Sequence, residues 1–169
     1  ERRLGFVTSM DEAVALRVQL GDLHEKQLHD VDAAIENYAA ALSGNPRQPA
    51  AIAALERYLS DPDARVQAAE VLEPIYVQQQ RWPDLIRIYS AKLEGSTDTQ
   101  ERMRITRFVA RLYEEQLEDF ESACQWYARL FREAPGDASV REQVQRLGGI
   151  VEDWEFVAET YQGYLDDET

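Results

Sequence analysis

The chain has 169 residues, of which 44% are hydrophobic and 30% are charged, as is ordinary for a folded globular protein. Acidic residues outnumber basic ones 32 to 18, and the net charge of −14 disfavours binding to nucleic acid or anionic lipid, because like charges repel. No stretch approaches the roughly 18 uninterrupted apolar residues of a membrane-spanning helix, so no membrane insertion is predicted. A single cysteine, Cys124, excludes an internal disulfide, and its place in an apolar helical stripe predicts a packed thiol.

The sequence repeats itself at a constant offset of 89 residues. LYEEQLEDFESACQWYARLF, residues 112–131, matches LHEKQLHDVDAAIENYAAAL, residues 23–42, at eight of twenty positions without a gap. The match continues outwards, through Glu12 with Glu101 and Arg57 with Arg146. We predict a super-repeat that covers about 9–58 and 98–147, in which equivalent segments fold alike.

Apolar residues recur at intervals of three and four along almost the whole chain, and alternating β-branched runs are missing from the sequence. This pattern predicts an all-helical protein with short connections, in which successive helices are antiparallel neighbours. The nine predicted helices span about 9–28, 31–44, 48–59, 62–79, 82–94, 98–117, 119–133, 137–147 and 151–165.

Capping signals mark the predicted helix starts. Ser9 with Glu12 and Asp98 with Glu101 read as capping boxes, in which the side chains satisfy the free amides of a first helical turn. Further starts are predicted after two aspartates and at two first-turn prolines: Asp30, Asp119, Pro62 and Pro83.

Glycine and proline mark the predicted stops, near residues 44–46, Gly95, Pro135 and the pair Gly148 and Gly149. Pro74 lies inside the fourth predicted helix and removes the amide that would bond the carbonyl of Glu70. We therefore expect a kink or an early end of that helix.

A second, shorter repeat relates RWPDLIRIYSAKL to DWEFVAETYQGYL. On a helix, the spacing of its matching residues forms one stripe, which we predict fills the seam between stacked neighbours. The stripe consists of Trp82, Leu85, Tyr89 and Leu93 in the first segment, and Trp154, Val157, Tyr161 and Leu165 in the second.

The second predicted helix resembles the second helix of a tetratricopeptide repeat. That family places a small residue, an aromatic residue, another small residue and a closing proline at the positions of Ala34, Tyr38, Ala41 and Pro46. The later copy departs from the pattern at Leu130, and a turn that is one residue longer precedes Asp30 and Asp119. The resemblance covers about two thirds of the chain. It implies a right-handed α-solenoid of antiparallel helix pairs, with the first helices lining a concave groove.

Catalytic and metal-binding patterns are missing from the sequence. The two histidines, His24 and His29, are five residues apart, which points their rings in different directions on a helix. No phosphate-binding glycine loop, nucleophile elbow or calcium-binding loop occurs. We predict a protein that is not an enzyme and that binds no metal or cofactor.

Four of the arginines fall in RMRITRFVAR, and three of them share one face of the predicted helix: Arg104, Arg107 and Arg111. The fold does not require arginine there, because the earlier copy has Ala15, Val18 and Asp22. Salt bridges are the more common role for such a stripe, and Glu114 and Glu115 can reach Arg111. We expect no partner on the same helix for Arg104 or Arg107. The alternative is a partner-binding clamp for an acidic or C-terminal carboxylate of a peptide.

The predicted function is a non-catalytic scaffold for protein–protein interaction, which binds a peptide or partner segment in a helical groove. The alternative is a spacer solenoid that sets the distance between flanking domains and has no ligand of its own. We expect residues 1–169 to form a single tetratricopeptide-like domain, and the start at Glu1 rather than Met suggests a fragment of a longer, bacterial solenoid protein.

Overall fold

The computed structural model describes the backbone of residues 2–167 and the side chains of residues 10–166. Within this part of the chain the structure consists of nine α-helices and one π-helical segment, His24–Leu28, which continues the first helix; short turns join the helices, and no strand occurs. The helices are α1 (Arg2–Leu23), α2 (Val31–Gly44), α3 (Pro49–Tyr58), α4 (Arg65–Gln78), α5 (Trp82–Gly95), α6 (Thr99–Glu115), α7 (Phe120–Glu133), α8 (Ala138–Ile150) and α9 (Trp154–Asp167). The prediction of an all-helical chain is confirmed.

Most helix starts were predicted correctly. Asp30 and Asp119 cap α2 and α7, where their side chains accept hydrogen bonds from the amides of Ala33 and Ser122, both at 3.0 Å. Asp98 caps α6 in the same way. Each cap satisfies an amide that has no partner inside the helix, which fixes where the helix begins.

Two predicted starts are wrong. α1 begins at Arg2, so the backbone of Ser9 lies within the helix and not at its start. A capping side chain needs a backbone that leaves helical geometry, and the residues before Ser9 contain no proline to force that exit. Pro62 lies in a turn, because α4 begins only at Arg65.

At two predicted stops the helix continues further: of the two expectations for Pro74 the early end is wrong, and α8 ends one residue beyond the pair Gly148 and Gly149. α4 runs through Pro74 to Gln78, and the buried side chains of Leu72 and Tyr76 on either side of the proline hold it in place. α8 runs through Gly148 and Gly149 to Ile150. A Cβ atom at Gly148 would lie 2.2 Å from Cγ2 of Val157, so this glycine permits the close approach of α9.

The turns confirm the longer connection that the sequence predicts in both copies. His29 and Glu118, which are equivalent, each adopt a left-handed conformation with φ of 52° and 53°. The amides of Asp30 and Asp119 then bond carbonyls six residues back, at 3.0 and 2.9 Å. In the turns before α5 and α9, the amide of the residue preceding the tryptophan bonds a carbonyl five residues back. Each class of turn therefore has its own geometry.

The described residues form two compact units, which divide between Gly95 and Ser96. In the first unit, α1 packs along α2 and α4 packs along α5; in the second, α7 packs against both α6 and α8. The small and aromatic residues of the second helix, Ala34, Tyr38 and Ala41, are fully buried. Packing of helices on their chain neighbours is the arrangement expected of a helical solenoid, and the handedness stays a prediction.

Candidate functional site

The candidate site lies on α6, a helix with one buried and one exposed face. Its apolar positions at Ile105, Val109 and Ala110 are buried, at 1% exposure or less. The three arginines project from other positions, and their side chains are 46–68% exposed. The predicted placement of the stripe outside the core is therefore correct.

Each arginine of the stripe has a carboxylate partner. Arg111 bonds Glu115 at 2.9 Å, one helical turn away, as expected. Arg104 bonds both oxygens of Glu101, at 2.8 and 2.6 Å, so the expectation that Arg104 has no partner on its own helix is wrong. The reason is that Glu101 stands three residues before Arg104, a spacing at which helical side chains also meet.

Arg107 reaches a different helix. Its guanidinium donates to Oδ2 of Asp137 at 2.6 Å, and Asp137 is also the residue that caps α8. Hydrogen bonds from Ser139 and, to a smaller extent, Arg107 lower the pKa of the Asp137 carboxyl below its usual range. One carboxylate therefore serves both the start of α8 and the link to α6.

Arg104 and Arg107 line the same surface depression. It has a volume of about 430 Å³ and is lined by Asp98, Gln100, Glu101, Met103, Arg104 and Arg107. The combination of a thioether, two guanidinium groups and two carboxylates offers both apolar contact and hydrogen-bond donors. Arg111 is not part of this lining, so the structure brings together two of the three arginines.

The other candidate residues form no reactive group. His24 lies 3.9 Å from the carboxylate of Asp30. Cys124 is buried, and burial raises the pKa of its thiol. Among the residues that the structure describes, no group of three histidine, cysteine, aspartate or glutamate side chains is placed to hold a metal ion. In the same part of the chain, no helix is both long and apolar enough to cross a membrane.

The sequence analysis missed a network of ion pairs between helices. Glu25 on the first helical segment bonds Arg57 on α3 at 2.8 Å, and the equivalent residues Glu114 and Arg146 bond at 2.5 Å. The hydroxyl of Tyr38 also donates a hydrogen bond to Glu25, at 2.9 Å. The signal was present in the repeat, because both the glutamate and the arginine are identical at an offset of 89.

No family model matches the sequence, and no curated protein matches it either. Among solved structures, the chain is similar to one described as a functional characterization of Pseudomonas aeruginosa PilF. The sequences are 20% identical, the match covers 94% of this chain and 78% of that chain, and the TM-score is 0.36.

Proposed function

We propose that this protein is a non-catalytic scaffold, and that the depression beside Arg104 and Arg107 binds an acidic or C-terminal segment of a partner protein. The observation that carries the proposal is that two guanidinium groups line one depression of a chain with a net charge of −14. Two arginines side by side can donate charge-assisted hydrogen bonds to one carboxylate group, while the surrounding negative field repels less well-matched anions.

The existing ion pairs do not prevent this function. The side chains of Arg104 and Arg107 are 68% and 46% exposed, and exposed pairs contribute only about 0–1 kcal/mol each. A carboxylate of the partner can therefore exchange with Glu101 or Asp137 at small cost. Met103, in the lining of the same depression, offers apolar contact to the neighbouring part of the ligand.

Arg107 is the best single position for a test, because it also bridges two helices. We expect Arg107→Ala to weaken binding of a fluorescein-labelled acidic peptide with a free C-terminus by about 1–3 kcal/mol, the range for hydrogen bonds to charged groups. The salt dependence of binding should flatten, since one charge contact is lost. Fluorescence anisotropy at several salt concentrations measures both quantities.

The control is Arg132→Ala, which removes an exposed arginine from α7 outside the depression. This variant should bind the peptide within about twofold of the wild type, because its charge lies outside the proposed contact. Equal losses in both variants would show that net charge alone attracts the peptide.

The spacer function is favoured by one observation, namely that each arginine of the stripe has a carboxylate partner within the chain. Under that function the stripe only links helices. Arg107→Ala would then lower thermal stability clearly and leave peptide binding unchanged, which is the opposite of the result that the scaffold proposal expects.

A further inference from the structure

A second groove lies in the other unit and is lined by carboxylates, with no lysine or arginine in its lining. Two depressions follow α2 and are continuous through Asp32, which lines both of them. The first holds about 460 Å³ and is lined by His29, Asp30, Val31, Asp32, Asp61, Asp63 and Ala64. The second holds about 300 Å³ and is lined by Asp32, Ile35, Glu36, Ala39, Gln67, Glu70 and Val71. We call this surface the α2 groove.

The floor of the α2 groove is apolar where α2 faces α4. Ile35 is 4% exposed, and Ala39 and Val71 are half-buried beside it. Carboxylates stand along the rims, at Asp32 and Glu36 on one side and Glu70 on the other. An apolar floor with charged rims suits a side chain that is itself apolar along its stem and charged at its end.

The carboxylates of the α2 groove differ from those at the helix seams. Glu25, Glu56 and Glu133 each bond an arginine on another helix. By contrast, no ion pair or side-chain hydrogen bond involves the carboxylates of Asp32 or Glu36 within the described part of the chain. The same holds for Asp63 and Glu70, and neither lining contains a lysine or an arginine.

We infer that the α2 groove binds a basic peptide segment in which two arginine or lysine side chains are separated by one residue. The spacing follows from the helix. Asp32 and Glu36 are one turn apart, with a rise of about 6 Å. Alternate side chains of an extended peptide point to the same side about 6.6–6.8 Å apart, so two basic groups reach the two carboxylates together.

The negative charge of the rims and the apolar floor of the groove both favour a basic peptide. Unpaired carboxylates in a concave surface focus a negative potential, which attracts a cation more strongly than a flat acidic face does. The aliphatic stems of arginine or lysine cover Ile35, Ala39 and Val71 while the charged ends reach the rims. From His29 to Ala39 the groove is roughly 15 Å long, which accommodates four or five extended residues.

The test uses a fluorescein-labelled peptide, Gly-Arg-Ser-Arg-Gly, titrated with the full chain at 0.15 M salt. Its control has the same composition but adjacent arginines, Gly-Arg-Arg-Ser-Gly. We expect saturable binding of the first peptide and binding weaker by about tenfold for the second, since adjacent side chains point to opposite sides and only one of them reaches the rim that carries Asp32 and Glu36. Absence of saturable binding, or equal binding of both peptides, would overturn the inference.

A matched pair of variants distinguishes binding in the groove from attraction by the net charge of the protein. D32N/E36Q/E70Q neutralises three groove carboxylates, and E121Q/E155Q/E159Q neutralises three exposed carboxylates of the second unit. The groove variant should bind the peptide about tenfold more weakly or worse, and the second-unit variant should stay within about twofold. Equal losses would overturn the inference. Binding of the acidic peptide, measured on the groove variant, should be unchanged, so that each proposed surface is tested independently of the other.

Discussion

The two copies of the 89-residue repeat keep the same links between helices but differ around their central tyrosine. Both copies have an aspartate cap on the second helix and an ion pair between a glutamate and an arginine. In the first copy, Tyr38 lies against Gly21 and donates to Asp22 and Glu25. In the second copy, Ala110 and Arg111 stand at the positions of Gly21 and Asp22. The repeat thus preserves the caps and the ion pair that join helices, and varies the residues beside the central tyrosine and along the arginine stripe.

The largest difference between the copies should appear at Gly21. A Cβ atom there would lie 2.5 Å from Cε1 of Tyr38, whose fully buried ring is held by two hydrogen bonds and cannot swing away. We expect Gly21→Ala to lower the free energy of unfolding by about 1–3 kcal/mol, the usual cost of overpacking, even though alanine favours helices. Urea denaturation measures the change.

The second copy provides the reverse control. Ala110 is buried and occupies the position equivalent to Gly21, so an added methyl group fits there. Ala110→Gly should cost about 1 kcal/mol through the lower helix propensity of glycine. If Gly21→Ala were neutral or stabilising, the two tyrosines would have equivalent surroundings and the two copies would not differ at this position.

A smaller effect is expected for the preserved ion pair, whose coupling energy can be compared between the two copies. Double-mutant cycles to alanine at Glu25 with Arg57, and at Glu114 with Arg146, isolate the energy of each pair. We expect a coupling of about 0.2–1 kcal/mol in each copy, since the arginines are partly exposed. The first pair should be the stronger, because Arg57 donates to both oxygens of Glu25, at 2.8 and 2.9 Å.

The fourth and eighth helices show how far the sequence could predict the structure. Periodicity located the helices because each must bury an apolar stripe, and the caps at Asp30 and Asp119 depend only on neighbouring residues. The early end considered at Pro74 does not occur, and α8 passes through Gly148 and Gly149 before it ends at Ile150, because packing on a neighbouring helix outweighs local propensity. Local signals alone do not include such packing.

In the candidate site too, some contacts could be predicted from the sequence, and others depend on how the helices pack together. The exposed face of α6 followed from helical geometry, and so did the pair between Arg111 and Glu115. The pair between Arg107 and Asp137 joins residues thirty positions apart, so it depends on how α6 and α8 are placed together. The α2 groove was missed for the same reason, since its rims come from two helices that the sequence does not show as neighbours.

The smallest predicted difference between the copies is in how stability changes as the pH falls. The hydroxyl of Tyr38 donates to Asp22 at 2.9 Å, and this hydrogen bond, assisted by Lys26, lowers the pKa of the Asp22 carboxyl. A lowered pKa in the folded protein contributes stability that is present above the ordinary carboxyl pKa of about 3.9 and is lost as the pH falls through the folded value.

Asp22→Asn keeps an oxygen acceptor for Tyr38 but removes this titration. Its urea midpoint should therefore fall less than that of the wild type between about pH 5 and pH 2. The second copy has Arg111 at this position and therefore lacks the carboxylate that titrates beside Tyr38 in the first copy. An unaltered pH profile for Asp22→Asn would show that the bond between Tyr38 and Asp22 makes no measurable contribution that depends on charge.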